Sequence, residues 1–305
     1  MKIRGFYLII TTIALIISIL FGTLSIINSA NINKLKNTEF EYTAQITESE
    51  QQLIPVKKEN DEKQQQKDNL QIQYDKLAKI ESYKDTPTAF LTFDDGPNTN
   101  TPRILDILKQ YNVQATFYVI ASQIEGNETM KQIMKRTVEE GHSVAIHTYS
   151  HKYQEIYKSV DAYFEDLYKA GAVIKDATGV ETKLVRLPGG TASAKSFCQK
   201  YSGSSDTFDK IMQRLEAEGY SVSDWNIDTR DWESKTTVDG IVSSVSRVAE
   251  AWKNNDNGYR TALILMHNWE KTINSLSPMI QNLQNIGFVF EPMKPDGYAY
   301  VQRKS

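Results

Sequence analysis

From Thr88 to Glu291 the chain repeats one pattern, a short apolar run, then polar residues, then a stretch whose apolar residues recur at helical spacing. The runs Thr88–Phe93, Ala115–Ile120, Ser143–His147, Lys183–Leu187, Tyr220–Ile227, Ala262–His267 and Phe288–Glu291 have the length and composition of strands. Helical spacing marks Glu128–Glu140, Ala162–Ala177, Asp206–Gly219, Val238–Lys253 and Ile273–Gln284, and Pro102 opens a further helix ahead of Ile104, Leu105 and Leu108. Strands separated by helices pair parallel through crossovers, so the predicted fold is α/β, a distorted (β/α) barrel of about seven parallel strands. In such a barrel the side chains that do chemistry gather at the carboxyl ends of the strands.

Two segments precede that domain, which is expected over 86–305. Lys2 and Arg4 lead into an almost uncharged run from Phe6 to Ile27, which as a helix rising about 1.5 Å per residue crosses the roughly 30 Å hydrocarbon layer. The cations lie before the run, which puts the remaining chain outside the cell. A cleaved signal peptide has a shorter apolar region and a small-x-small site, which Asn28-Ser29-Ala30 matches poorly, so 1–30 is read as a cytoplasmic tip and transmembrane signal anchor. Residues 31–85 hold no Gly, Trp or Cys, one proline (Pro55) and a dense mixture of Lys, Glu, Gln and Asn that cannot build its own core. Leu70, Tyr74 and Leu77 form one apolar stripe, but Lys63 and Lys67 continue it, which argues against a strong coiled coil. The expectation is an extracellular, partly helical stalk broken near Pro55, with a reach of roughly 80 Å were it all helical.

A formal net charge of −3 leaves no basic surplus for a phosphate backbone, so no nucleic-acid partner is expected, and no obligate protein partner is evident. The one cysteine, Cys198, excludes an intramolecular disulfide and reads as a small buried apolar residue. The strand ends carry Asp94-Asp95, His147-x-x-x-His151, Arg186-x-Pro188-Gly189, Asp228-x-x-Asp231-Trp232 and Leu265-Met266-His267, which hold three of the four histidines. Two imidazoles and a carboxylate suit a divalent ion and leave positions open for water and substrate. Asp-Asp-Gly-Pro alone is a turn signature, and two histidines four apart arise by chance; their joint appearance at successive strand ends is the stronger sign. His142 stands at the opposite end of its strand and is read as structural, and an ordinary buried ion pair is the minor alternative for Arg186 and Asp231.

Thr92-Phe93-Asp94-Asp95-Gly96-Pro97, His147-Thr148-Tyr149-Ser150-His151, Arg186-Leu187-Pro188-Gly189-Gly190, Asp228-Thr229-Arg230-Asp231-Trp232 and Leu263-Ile264-Leu265-Met266-His267 resemble the five ordered motifs of the polysaccharide deacetylases. These enzymes carry the NodB homology domain and form carbohydrate esterase family 4. The resemblance covers about residues 86–300. It implies that Asp95, His147 and His151 bind a divalent ion, usually zinc, with cobalt, nickel or manganese as substitutes. It also implies Asp94 as general base, held by Arg186, and His267 as general acid, held by Asp231. Trp232 and Leu265 would wall a pocket for the acetyl methyl group, and a backbone N–H near Gly189 would complete the oxyanion site. Gly189 departs from the family, where the position after the motif's proline is often aromatic.

The expected activity is removal of N-acetyl groups from N-acetylglucosamine units of a cell-wall glycan, peptidoglycan or a wall-polysaccharide linkage unit, at the cell membrane of a Gram-positive bacterium. An O-acetyl esterase, a small-amide hydrolase with the same metal site, and a catalytically silent wall-binding protein are the alternatives.

Overall fold

The computed structural model describes residues 2–254 and 260–302. Met1 and residues 303–305, at the extremities of the expected anchor and catalytic segments, lie outside the described residues, as do the side chains of Lys2 and Arg4. The chain divides into two compact units, Met1–Gln73 and Tyr74–Ser305.

One helix, α1 (Lys2–Ser82), carries the first unit and runs through Pro55, so the expected break there is not found. A proline removes one N–H bond and crowds the carbonyl four residues earlier. On a helix exposed on every side near that point, water can serve the freed carbonyl. Local pairs such as Lys63 Nζ to Glu59 (2.6 Å) and Gln64 Nε2 to Asp68 (2.7 Å) add a few tenths of a kcal/mol each. From Leu15 onward α1 is long and apolar enough to cross a membrane, by length and composition.

The second unit is built on parallel strands β1 (Thr88–Gly96), β2 (Thr116–Ile120), β3 (Ser143–Thr148), β4 (Leu184–Val185), β5 (Ser221–Val222), β6 (Ile227–Asp228), β7 (Thr261–His267) and β8 (Val289–Phe290). Their order is β5-β4-β3-β2-β1-β7-β6, with β8 pairing on β1. Around them lie α2 (Thr101–Gln110), α3 (Glu128–Glu139), α4 (Tyr153–Ile156), α5 (Val160–Thr178), α6 (Gly190–Ser202), α7 (Asp206–Ala217), α8 (Val238–Lys253) and α9 (Glu270–Ile286).

The expected strand Tyr220–Ile227 is in fact two strands, β5 and β6, at opposite ends of the seven-strand path. Laid flat, seven strands about 4.8 Å apart would separate those ends by roughly 29 Å. The five steps from Val222 to Ile227 span at most roughly 17 Å. The sheet must therefore curl until its two edges face each other, giving the expected distorted barrel with an open seam. Residues 223–226 cross that seam, and the chain end reinforces it: Asp224 N donates to Tyr300 O (2.6 Å), and Gln302 N donates to Asp224 Oδ2 (2.8 Å).

Strand parity then decides which side chains enter the barrel. Leu91, Phe93, Phe117, Val119, Val144, Ile146, Val185, Leu187, Ile264 and Met266 belong to the large core under the helices. Their neighbours of opposite parity, Phe90, Tyr118, Ala145, Leu184 and Leu263, form a second, inner core with Tyr83, Met293 and Tyr298. Continuing the inner parity toward the carboxyl ends gives Thr92 and Asp94, His147, Arg186, Leu265 and His267. The inner apolar column therefore ends in the residues suited to chemistry.

Candidate metal centre and active site

Asp94 follows the inner parity of β1, and its Cα pairs with that of His267. By alternation its neighbour Asp95 should point outward. Instead the β1–β2 register slips between Asp94 and Gly96, and Asp95 adopts a left-handed backbone (φ 66°). A bulge of this kind re-aims a side chain. Asp95 Oδ1 comes to lie 3.4 Å from His147 Nε2 and 3.2 Å from His151 Nε2. His151 also has a left-handed backbone, with φ 55°. Such conformations in non-glycine residues cost of order 1–3 kcal/mol and persist only where the surroundings hold them.

One donor atom from each of the three lies within 4.8 Å of the others. His147 Nδ1 is 2.8 Å from Arg186 O, and because a carbonyl only accepts, the ring's proton sits on Nδ1 and its Nε2 lone pair faces Asp95. Asp95 Oδ1 is buried without a hydrogen-bond partner among the described residues. An orphaned carboxylate oxygen beside two imidazole nitrogens fits a divalent cation. Burial pushes the Asp95 carboxyl up, but its polar contact with His147 and the charges that His147, His151 and His267 carry when protonated outweigh this and hold it at about 2. At His151 burial and the neighbouring His147 lower the pKa, favouring the neutral form that a metal requires.

Across the cleft His267 is wired differently. Its Nδ1 lies 2.7 Å from Asp231 Oδ1, while its backbone N–H donates to Asp231 Oδ2 at 2.7 Å and Thr272 Oγ1 donates to the same oxygen. Burial disfavours charge on this ring, yet the Asp231 hydrogen bond and the negative charges of Asp231, Asp94 and Asp95 raise its pKa to about 9.

Arg186, 0% exposed, uses all three of its guanidinium nitrogens. Nη1 donates to Asp94 Oδ1 and Thr92 Oγ1 (both 2.8 Å), Nε to Ser223 O (3.0 Å), and Nη2 to Asp224 O (2.8 Å). The charge that faces Asp94 therefore also ties the seam from inside. Arg186 and Asp231 do not pair with each other; each serves a different member of the site.

Asp94, Asp95, His147, His151 and His267 line a cavity of about 360 Å³ together with Gly189, Leu265 and Trp232, the last 51% exposed. Residues 81–203 match the family Polysaccharide deacetylase. The catalytic domain of a peptidoglycan N-acetylglucosamine deacetylase from Eubacterium rectale superposes with a TM-score of 0.62 at 30% identity, covering 71% of this chain and 93% of that one. The chain belongs to the polysaccharide deacetylase family. YheN of Bacillus subtilis is 32% identical over 203 residues, 67% of this chain and 66% of that protein. A peptidoglycan-N-acetylglucosamine deacetylase of Bacillus cereus is 26% identical over 222 residues, 72% of this chain and 73% of its own length.

This family member's glycine at 189 has a local cause. Gly189 has φ 78°, and a Cβ there would meet Ser193 Cβ at 3.1 Å and Phe197 Cε2 at 3.2 Å. It caps α6, a helix that periodicity did not anticipate because its start is Gly-rich and its buried face is small: Gly190, Thr191, Ala194 and Cys198. Cys198 is a free, buried thiol that burial pushes up to about 11. Tyr153, Ser193, Trp225 and Asp228 also line the cavity. Asp228 stands at a strand end, a signal that could have found it; Ser193 lies on the unanticipated helix, where no signal pointed. His142 lies outside the site: its Nδ1 accepts from Ala115 N (3.1 Å).

Proposed function

We propose that this chain is a membrane-anchored, metal-dependent deacetylase that hydrolyses the N-acetyl group of N-acetylglucosamine residues in a cell-wall glycan outside the cell. The observation that carries this reading is the confrontation, across one cavity, of a lone-pair cluster (Asp95, His147, His151) with an imidazole held against a buried carboxylate (His267, Asp231). Asp95, His147 and His151 would hold the ion, with zinc favoured by the donor set. When bound, such an ion polarises an amide carbonyl and acidifies water.

The chain's own residues then divide the proton work. Asp94 Oδ1 is engaged by Arg186, so Oδ2 is the oxygen left to take a proton from the attacking water. His267, kept protonated by Asp231, delivers a proton to the departing amine. The Gly189 N–H, with no hydrogen-bond partner among the described residues, is available to the oxyanion. Trp232 and Leu265 would contact the acetyl methyl group. The glycan is inferred from the relatives named for peptidoglycan, and the location from the Lys2 and Arg4 flank of an apolar helix.

In the full chain purified in detergent, Asp94→Asn is expected to retain metal and lose turnover, whereas His151→Ala loses both. Full activity in either variant would remove the proposed site. Acetate release from peptidoglycan and chitooligosaccharides but not from O-acetylated xylan supports the amide substrate, and the reverse pattern makes the enzyme an esterase.

A further inference from the structure

The four-residue interval from His147 to His151 makes a tight loop whose N–H groups are taken up mainly by side chains. His151 N donates to Thr148 Oγ1 (3.0 Å) and Lys152 N to Ser150 Oγ (3.3 Å), both local contacts. The two middle donors go to a single residue on another element: Tyr149 N donates to Asp166 Oδ1 (2.6 Å) and Ser150 N to Asp166 Oδ2 (3.0 Å). Tyr149 O accepts from Ser122 N (3.1 Å), which ties the other side of the loop.

Asp166 sits within α5, which is well anchored. Its Phe164, Leu167, Ala170 and Ile174 are buried, and at Gly171 the helix lies so close to β3 that a Cβ would stand 3.6 Å from Ile146 Cδ1. Charge-assisted hydrogen bonds to a carboxylate are about twice as strong as neutral ones, and two oxygens on successive N–H groups fix orientation as well as distance. His151, the next residue along, holds a left-handed backbone that its own side chain does not favour. From this geometry we infer that Asp166 is a positioning residue for the metal centre. Its carboxylate clamps the loop so that His151 Nε2 faces Asp95 and His147. The inference rests on the metal-binding reading of those three residues.

The test measures zinc binding to the metal-stripped full chain in detergent, by chelator competition, for the wild type, Asp166→Ala and Asp166→Asn. Loss of a hydrogen-bond partner that orients a metal ligand weakens metal affinity by about 10–100-fold. Asp166→Ala is expected to show such a loss, with turnover recovering as zinc is raised. Asp166→Asn, which offers one acceptor oxygen where two are needed, should fall between it and the wild type, and it carries the test if the alanine variant does not fold. Zinc affinity within twofold of wild type in the folded variants, whatever happens to the melting temperature, would make Asp166 a brace and overturn the inference alone. A wild type that binds no divalent ion would remove the metal reading and this inference with it.

Discussion

Both sides of the cleft present imidazoles, and the proposed mechanism gives them opposite tasks. On the ligand side the backbone is distorted: a bulge turns Asp95 inward, His151 sits in the left-handed region, and His147 gives its outer proton to the Arg186 carbonyl. On the acid side the ring itself comes from a regular strand end, and the left-handed residue, Arg230 (φ 52°), stands next to its carboxylate partner Asp231. His267 ends β7 in register with Asp94, and its outer nitrogen meets a buried carboxylate rather than a carbonyl. A neutral acceptor behind an imidazole leaves a lone pair forward for a metal, whereas a charged acceptor favours the protonated ring. Under the proposed roles, the partner behind the ring separates ligand from acid.

Exchanging each side for alanine gives the largest expected effects. His147→Ala should abolish metal binding and turnover together. His267→Ala should lower kcat by about 10²–10⁴-fold, the usual contribution of a general acid, with metal affinity unchanged. Equilibrium dialysis against zinc beside acetate-release rates separates the two. Metal loss from the His267 variant would collapse the distinction between the sides.

How much of this was legible in the chain follows from the same contrast. Strand runs with a two-residue period put Asp94, His147, Leu265 and His267 on one inner parity, so their convergence could be anticipated from spacing. Asp95 and His151 could not be placed that way, because each depends on a left-handed backbone that alternation does not encode. Residues 220–227 look like one strand because Tyr220, Val222 and Ile227 are apolar. Yet Asn226 spends its side chain on Thr261 O and Leu263 N, and Asp224 on Thr191 and Gln302, contacts that exist only once the barrel curls. Pro55 misled in the other direction, since a rule drawn from packed helices was applied to one exposed to solvent there.

A smaller effect probes the acid side alone. Asp231 raises the pKa of His267, and in the proposed mechanism that ring must be protonated to act as the donor, so activity is expected to fall as pH rises through about 9. Asp231→Asn removes the charge and moves that basic limb downward, with a rate loss that grows with pH. A pH profile of kcat/KM for the wild type and the variant checks it; superimposable basic limbs would mean that the carboxylate does not set the proton's affinity.

His142 supplies the control for both sides. It lies just before β3, five residues before His147, and the group behind its ring is neither a carbonyl nor a carboxylate but a donor, the N–H of Ala115. A ring nitrogen that accepts cannot carry a proton, and burial disfavours the charged form further. With the charge of Arg136 acting in the same direction and that of Glu140 opposing it, the pKa falls to about 4. Between pH 6.5 and about 4 the unfolded chain binds a proton here and the folded one does not. Stability is therefore fully present above about 6.5 and lost as pH falls toward 4, by about 3 kcal/mol in all. His142→Asn retains an acceptor for Ala115 N and cannot titrate. The urea midpoint of the variant should depend less on pH than that of the wild type between pH 7.5 and 4.5, while its acetate release at neutral pH stays near the wild-type rate. Equal acid sensitivity in the two proteins would show that the ring can take up a proton in place, and that the partner behind an imidazole governs its state less than the cleft's two sides imply.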